Sequence, residues 1–186
     1  MDDRDFELLI ETMKRAGAAL RDAEIPFMLG GGLAAWARGG ARTEHDVDFL
    51  IQPEDAERAQ EALVALGMRV ERPPEGWLLK VWDGEVLVDL IFHPIDGPVT
   101  QAQIDAADEL NVMAMNMKVA RLEDVMSSKL LALKEQEPDF GQVIELARSC
   151  REQIDRDEVR ERTQESPMAK AFFTLIEELG VAPRAA

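Results

Sequence analysis

The spacing of apolar side chains divides the chain into an N-terminal part that contains strands and a C-terminal part made only of helices. Short apolar runs in the first part are typical of β-strands. Strands are predicted at residues 27–29, 46–51, 68–71, 77–82 and 85–92. Helical spacing predicts helices at residues 4–22, 33–37, 56–66 and 100–109, and residues 112–119 fit an edge strand. The Asp83-Gly84 pair between the last two strands indicates a two-residue hairpin turn.

From residue 123 onward the pattern is helical. Helices are predicted at residues 123–136, 139–151, 156–164 and 168–179. This order of elements predicts an α/β (α+β) fold, in which a small mixed sheet with flanking helices is followed by a helical C-terminal region packed on it. We expect the α/β core to cover residues 1–120 and the helical region to cover residues 121–186. The apolar face of the last helix, which carries Phe172 and Phe173, is available for packing on the core or for a homodimer contact.

The composition changes this picture mainly through charge. The 186 residues include 37 Asp and Glu against 21 Lys and Arg, which gives a formal net charge of −16. This excess argues against general binding to nucleic-acid backbone, because Lys and Arg are needed to displace the condensed counterions. The single cysteine, Cys150, excludes an intramolecular disulfide and a cysteine-rich zinc site. Since the acidic N-terminus is unlike a signal peptide and no apolar run is long enough to span a membrane, we expect a cytoplasmic protein.

Three consecutive glycines follow the first predicted strand. Gly30, Gly32 and Ala35 formally match the dinucleotide-binding pattern G-x-G-x-x-A. The match is not supported, because Gly39 and Gly40 end the next helix early and a parallel crossover needs a longer one. A Walker A loop is excluded, since no Gly-Lys-Ser/Thr follows the glycines. The glycines therefore form either a tight strand-to-helix turn or a turn whose backbone N–H groups bind phosphate oxygens.

Three aspartates in apolar strands are the candidate catalytic and metal-binding residues. Asp46 and Asp48 are two positions apart, so both side chains lie on the same face of their strand. Asp89 is the only charged residue in the apolar run 86–92. Such carboxylates are unfavourable without a counter-ion, and hard divalent cations bind carboxylates together with substrate phosphates. The alternatives are an exposed pair at the start of a strand and, for Asp89, an arginine partner.

The glycines and aspartates together resemble the nucleotidyltransferase fold of the polymerase-beta superfamily. The family's motifs occur here in the same order, as Gly31-Gly32, then thirteen residues, Asp46-Val47-Asp48 and Asp89. The stretch 27–51 is most similar to the minimal nucleotidyltransferases of toxin–antitoxin and abortive-infection systems, in which an arginine, here Arg42, precedes the aspartates. Downstream, Lys129 and Asp139 match a Lys and an Asp that face the active site in that group. The resemblance covers about residues 25–150.

This resemblance implies an enzyme of the EC 2.7.7 type, which moves a nucleoside monophosphate from an NTP to an acceptor hydroxyl and releases pyrophosphate. Asp46 and Asp48 would hold Mg²⁺ or Mn²⁺ against the triphosphate, and Asp89 would bind a second metal ion or act as general base. The nucleotide would contact Gly31, Gly32, Arg42, Lys129 and Asp139. Acceptors in related proteins are tRNA ends, proteins or small molecules such as aminoglycosides, and a cognate toxin or antitoxin is a further expected partner.

The chain departs from the family pattern at three positions. Gly32 replaces the serine of many relatives, Glu44 replaces a threonine, and Gln142 replaces a second aspartate. The metal ligands remain, but these departures motivate a second hypothesis, a non-catalytic nucleotide-binding protein or an antitoxin-type interaction protein. Residues 81–117 contain seven acids and no Lys or Arg. That acidic stretch favours a protein or small-molecule acceptor over a tRNA end.

Overall fold

The computed structural model describes residues 3–43, 46–71, 74–136 and 138–183, and within them the chain forms one seven-stranded sheet flanked by helices. The strands are β1 (Phe27–Leu29), β2 (Asp46–Ile51), β3 (Arg69–Glu71), β4 (Leu78–Asp83), β5 (Val86–Ile91), β6 (Asp108–Val112) and β7 (Met115–Val119). The helices are α1 (Asp3–Asp22), α2 (Gly31–Ala37), α3 (Ala56–Ala65), α4 (Gln101–Ala106), α5 (Leu122–Ala132), α6 (Gly141–Ser149), α7 (Arg156–Arg162) and α8 (Pro167–Glu178). A single 3₁₀ turn, Pro53–Asp55, precedes α3.

The sheet is mixed, as predicted, and its strand order is β3-β4-β5-β2-β1-β7-β6. Strand β2 runs parallel to β5 and antiparallel to β1, while β1 runs parallel to β7. The remaining neighbours pair antiparallel. The predicted α/β fold class is therefore confirmed. The division at residue 120 stays a prediction, although the last strand ends at Val119 and the helices that follow begin at Leu122.

Strand β2 shows the predicted alternation of its side chains. Val47, Phe49 and Ile51 are fully buried on one face, whereas Asp46 and Asp48 are half-buried on the other. The buried face packs against α1, an amphipathic helix that turns its apolar side toward the sheet. Burial of three large apolar side chains anchors the strand, because each contributes on the order of 2 kcal/mol. The two aspartates are thereby held on the opposite face.

The hairpin between β4 and β5 is present, but its turn lies one residue later than predicted. Asp83 still pairs with Val86, so the two loop residues are Gly84 and Glu85 rather than Asp83 and Gly84. Gly84 has a φ of 62°, and a positive φ at the first loop position is what a type II′ turn requires of glycine. The turn therefore begins at Gly84, because glycine is the residue that adopts this positive φ without strain.

The segment 100–119 differs most from its prediction. Helix α4 begins at a capping box, in which Thr100 and Gln103 satisfy each other's backbone N–H groups, but it ends at Ala106 instead of continuing to 109. Residues 108–119 then form the β6–β7 hairpin, not one edge strand. Its turn contains Met113 and Ala114, with φ values of 50° and 68°. Residues other than Gly, Asn and Asp rarely adopt such angles, so the sequence carried little signal for this turn.

The C-terminal helices pack on α2 and on one another. Helix α5 contacts α2, α6, α7 and α8. Phe172, Phe173 and Ile176 of α8 are at most 2% exposed, so the apolar face of that helix is covered within the chain. A homodimer through these helices stays a prediction and would have to use other side chains. No helix in the described part of the chain has the length and hydrophobicity needed to cross a bilayer.

An ion-pair network, here called the Arg162 cluster, joins the C-terminal helices to the loop after β5. Arg162 donates to Asp124 of α5 at 2.6 Å and to Glu158 of its own helix at 3.3 Å. It also donates to Asp96 in the loop after β5, at 3.3 Å. Arg121 binds the Glu158 carboxylate with two nitrogens, at 3.1 and 2.7 Å. One half-buried guanidinium group thus joins its own helix α7 to α5 and to the loop after β5.

Candidate active site

The three predicted aspartates come together on one face of the sheet. Asp46 and Asp48 project from β2, and the parallel register places Asp48 beside Asp89 of the neighbouring strand β5. One carboxylate oxygen from each residue lies within 4.8 Å of the others. We call these residues the aspartate triad. The grouping arises because parallel neighbours in register direct their side chains to the same face.

The aspartate triad has little positive charge to balance it. Asp89 is only 7% exposed, and its Oδ1 atom is buried without a hydrogen-bond partner among the described residues. The ammonium of Lys80, its cross-strand neighbour on β4, lies 4.0 Å from that oxygen, at the limit of an ion pair. The expected alternative, an arginine partner for Asp89, is not found within the part of the chain that the structure describes. A buried carboxylate oxygen left in this state is costly unless a ligand binds it.

The acidities of the triad reflect this environment. Burial, followed by the charges of Asp46 and Asp89, raises the pKa of Asp48 from 3.8 to about 8, although Lys129 and Lys80 oppose the shift. Burial also raises the pKa of Asp89 to about 6, again against Lys80. Both shifts mean that the free triad resists carrying its full negative charge. A divalent cation reverses that preference, since carboxylate oxygens are the ligands that Mg²⁺ and Mn²⁺ bind.

The glycine turn, residues 30–32, packs directly against the triad. The backbone N–H of Gly30 donates to the Asp48 carbonyl oxygen at 2.8 Å, which ties the start of α2 to β2. Gly31 has a φ of 52°, and a side chain there would overlap the carboxylate of Asp48. Only glycine combines that backbone angle with so close an approach. The structure therefore brings Gly31 to the triad, while its contact with a nucleotide stays a prediction.

Lys129 approaches the triad from α5. Its charge lowers the pKa of Asp48, and its ammonium donates to Oε1 of Gln142 on α6 at 2.8 Å. Gln142 stands where the family resemblance places a second aspartate. A neutral amide accepts this hydrogen bond without cancelling the positive charge of the lysine. The full charge of Lys129 remains available beside Asp48.

Two further residues predicted to contact the nucleotide, Arg42 and Asp139, have their partners outside the triad. Arg42 forms an ion pair with Asp3 of α1 at 2.8 Å and stacks over the ring of Phe6, at 4.8 Å from its centre. Asp139 is exposed and accepts a hydrogen bond from the Gly141 backbone N–H at 2.8 Å, at the start of α6. Contact of Asp139 with a nucleotide stays a prediction. Glu44, the third departure from the family pattern, lies outside the described residues.

Two cavities adjoin the triad, and Asp48 and Lys129 line both of them. The polar cavity has a volume of about 420 Å³, and its wall includes Gly32, Arg42, Thr43, Asp46, Gln142 and Glu145. The apolar cavity has a volume of about 200 Å³ and lies between the sheet and α5, with a wall that includes Met28, Leu50, Ile91, Val99, Val125 and Ala132. Thr43 and Glu145 carried no sequence signal, because they reach the site only through folding.

Comparison with known proteins agrees with this geometry. A family described as nucleotidyl transferase of unknown function (DUF2204) matches residues 9–173. The structure of ANT(2'')-Ia in complex with adenylyl-2''-tobramycin superposes with a TM-score of 0.66 at 18% identity, covering 89% of this chain and 97% of that one. The solution structure of the antibiotic-resistance factor ANT(2'')-Ia gives 0.65 at 16% identity, covering 92% and 94%. At this low identity, the two similarities show a shared fold only. The search of curated proteins finds no match.

Proposed function

Because the chain belongs to the DUF2204 family of nucleotidyl transferases, we propose that it moves a nucleoside monophosphate from an NTP to an acceptor hydroxyl, with Mg²⁺ or Mn²⁺ as cofactor. The observation that carries this proposal is the aspartate triad, with a buried oxygen of Asp89 that has no hydrogen-bond partner among the described residues. The nearest ammonium, that of Lys80, lies 4.0 Å from this oxygen and forms no hydrogen bond with it. The triad also adjoins a glycine turn and a polar cavity large enough for a triphosphate.

Asp46, Asp48 and Asp89 are the residues that would hold the cofactor. Their chemistry fits the proposal, since three carboxylates with oxygens within 4.8 Å of one another form a hard, anionic donor set. A divalent cation held there neutralises negative charge that develops on phosphate oxygens during transfer. The raised pKa values of Asp48 and Asp89 support the same assignment, because a cation replaces the protons that the free carboxyl groups favour.

The donor NTP would lie in the polar cavity. Gly32, in the first turn of α2, lines this cavity, and backbone N–H groups at such a turn donate to phosphate oxygens. The ammonium of Lys129 and the guanidinium of Arg42 line the same cavity and supply positive charge. Arg42 would have to exchange its exposed ion pair with Asp3 for a phosphate, and exposed ion pairs contribute little.

In the proposed reaction the oxygen of the acceptor hydroxyl attacks the α-phosphorus. A new P–O bond forms as the bond to the β-phosphate oxygen breaks, and pyrophosphate leaves. The hydroxyl proton passes to a carboxylate oxygen of Asp89, acting as general base. Lys129 and the glycine turn hold the phosphates in line, so that attack and departure occur on opposite faces.

The acceptor is proposed to be a protein or a small molecule rather than a tRNA end. A net charge of −16 repels a polyanion, and the described structure offers few cations around the triad. ANT(2'')-Ia, which shares the fold, was solved with adenylyl-2''-tobramycin, so this fold has room for a small-molecule product. A role as a toxin–antitoxin component, with a cognate partner protein, remains part of the proposal because of the sequence resemblance alone.

Transfer of a radiolabelled nucleotide to an acceptor tests the proposed activity. The protein is incubated with each of four α-³²P NTPs, Mg²⁺ and a cell extract, and both labelled acceptor and released pyrophosphate are measured. Asp46→Ala/Asp48→Ala should abolish both signals. Asp22→Ala/Asp105→Ala, which removes two exposed aspartates, is the matched control and should retain them. Equal labelling by wild type and by Asp46→Ala/Asp48→Ala would rule out the assignment.

A non-catalytic nucleotide-binding or antitoxin-type role is the second candidate. It is favoured by the contact between Lys129 and Gln142, where the family pattern has an aspartate. Calorimetry with ATP, GTP, CTP and UTP, with and without Mg²⁺, separates the two roles. Binding that does not depend on Mg²⁺, with no release of pyrophosphate in extract, would favour the second candidate.

A further inference from the structure

Thr43, in the loop before β2, occupies the space that a side chain at position 32 would need. A Cβ placed on Gly32 would lie 2.6 Å from the Cβ of Thr43 and would overlap its hydroxyl oxygen. Gly32 does not have a positive φ, so its backbone would accept other residues. Position 32 is therefore glycine because Thr43 fills the space beside it.

Two positions of the glycine turn are covered by polar side chains. The carboxylate of Asp48 lies over Gly31, and the hydroxyl of Thr43 lies over Gly32. Thr43 is half-buried and lines the polar cavity, and the described residues offer its hydroxyl no hydrogen bond. A half-buried hydroxyl without a partner in a cavity wall can donate a hydrogen bond to an anion bound there.

We propose that the Thr43 hydroxyl donates a hydrogen bond to the phosphate chain of the donor, at the end away from the aspartate triad. This inference rests on the proposed function, because the α-phosphate must lie at the triad for transfer to occur there. The remaining phosphates then run along the turn, past Gly31 and on to Gly32, where Thr43 meets them. Thr43 supplies from a neighbouring loop the hydroxyl that Gly32 itself lacks.

Single substitutions test the contact by calorimetry with inorganic tripolyphosphate and with ATP, each with Mg²⁺. Thr43→Val keeps the shape of the side chain and removes the hydroxyl, so affinity for both ligands should fall about tenfold, as expected for loss of one hydrogen bond to a charged group. Thr43→Ser should bind like wild type, and AMP should bind all three proteins equally. In turnover, Thr43→Val should raise KM for the NTP and leave kcat nearly unchanged. Affinity of Thr43→Val within about twofold of wild type would overturn the inference.

A reciprocal exchange separates the hydroxyl from packing. Gly32→Ser alone places two side chains in the same space and should weaken tripolyphosphate binding. Gly32→Ser/Thr43→Gly removes the overlap and moves the hydroxyl to position 32, so binding should recover. Gly32→Ala/Thr43→Gly has nearly the same volume without a hydroxyl and should stay about tenfold weaker than wild type. If the Ala and Ser double variants bind equally, the hydroxyl has no role and the inference fails.

These measurements distinguish failure of the donor site from failure of the Thr43 contact alone. If wild type binds neither tripolyphosphate nor ATP, the donor site itself is refuted, and Thr43 with it. If wild type binds both and the Thr43 variants match it, only the role of Thr43 is refuted. Thermal unfolding of every variant, measured in parallel, identifies any change in affinity that comes from loss of folding.

Discussion

The Arg162 cluster and the aspartate triad each contain three carboxylates, yet they differ in the cation that meets them. At the first, Arg162 contacts Asp96, Asp124 and Glu158 at 2.6 to 3.3 Å. At the second, Lys80 is 4.0 Å from Asp89, and a buried oxygen has no hydrogen bond within the described residues. Similar side chains thus lie in different surroundings: a guanidinium group of the protein joins the first set, whereas no cation of the described residues lies closer than 4.0 Å to Asp89.

The pKa shifts of Arg162 and of the triad aspartates reflect the same difference. Burial disfavours the charge of Arg162, but its hydrogen bond to Asp124 and the surrounding carboxylates outweigh burial and raise its pKa. Burial at the triad raises the pKa of Asp48 and Asp89, and adjacent negative charges add to the effect. The carboxylates of the cluster thus favour the charged form of Arg162, whereas the surroundings of the triad disfavour the charged forms of Asp48 and Asp89.

The largest expected effect comes from removing one charge of the triad. Asp48→Asn should lower nucleotidyl transfer about 10³-fold, because the cation loses a ligand and the phosphates lose their alignment. Without metal, the same variant should unfold at the same temperature as wild type or higher, since one repulsive charge is gone. Activity assays and thermal unfolding in EDTA measure the two effects. Asp124→Asn is the control, and it should lower the unfolding temperature instead; the same stability loss in both variants would contradict the comparison.

The pH dependence of stability should also separate the triad from ordinary carboxylates. The pKa of Asp48 rises from 3.8 to about 8 on folding, so between these values the native chain binds more protons than the unfolded chain. The free energy of unfolding of the metal-free protein should therefore decrease as the pH rises from 4 to 8, by on the order of a few kcal/mol.

Denaturant titrations in EDTA at several pH values measure this slope. Mg²⁺ should restore stability at pH 8, and Asp48→Asn should flatten the upper part of the curve. Stability that instead rose with pH over the whole range would show that the triad is not protonated in the folded chain.

Breaking the Arg162 cluster should cost stability. Arg162→Met leaves three carboxylates without their shared partner and should lower the free energy of unfolding by about 2 kcal/mol. Arg151→Met is the matched control, because Arg151 and its partner Glu152 are 61% and 83% exposed and such pairs contribute less than about 1 kcal/mol. Urea titration compares them. Equal losses would show that the cluster is no more than a surface ion pair.

The smallest effect is expected at the cation nearest the triad. Lys80 lowers the pKa of Asp89, so Lys80→Met should raise it further above about 6. The midpoint of an NMR titration of the Asp89 carboxyl carbon should move up by about one pH unit or less. Lys170→Met, on the exposed side of α8, should leave that midpoint unchanged. A shift downward after Lys80→Met would contradict the arrangement of charges.

Much of the site could be predicted from local pattern. The alternation of β2 places Asp46 and Asp48 on one face, and the isolated charge of Asp89 marks it within an apolar strand. Side-chain alternation depends only on neighbouring residues, so it can be read from the sequence. The short helix after the glycine turn could also be predicted, because its end at Gly39 and Gly40 is a local sequence signal. In contrast, the β6–β7 hairpin was missed, because Met113 and Ala114 take backbone angles that their types rarely adopt.

The sequence by itself determined the mixed α/β class, the face of β2 that carries the acids, and the absence of a disulfide within the chain. Only the tertiary structure decided that Asp48 lies beside Asp89 and that Thr43 covers Gly32. The physical reason is the separation along the chain of the residues that interact. Periodicity and turn chemistry are settled among a few neighbouring residues, whereas strand register and side-chain contacts depend on how distant segments pack.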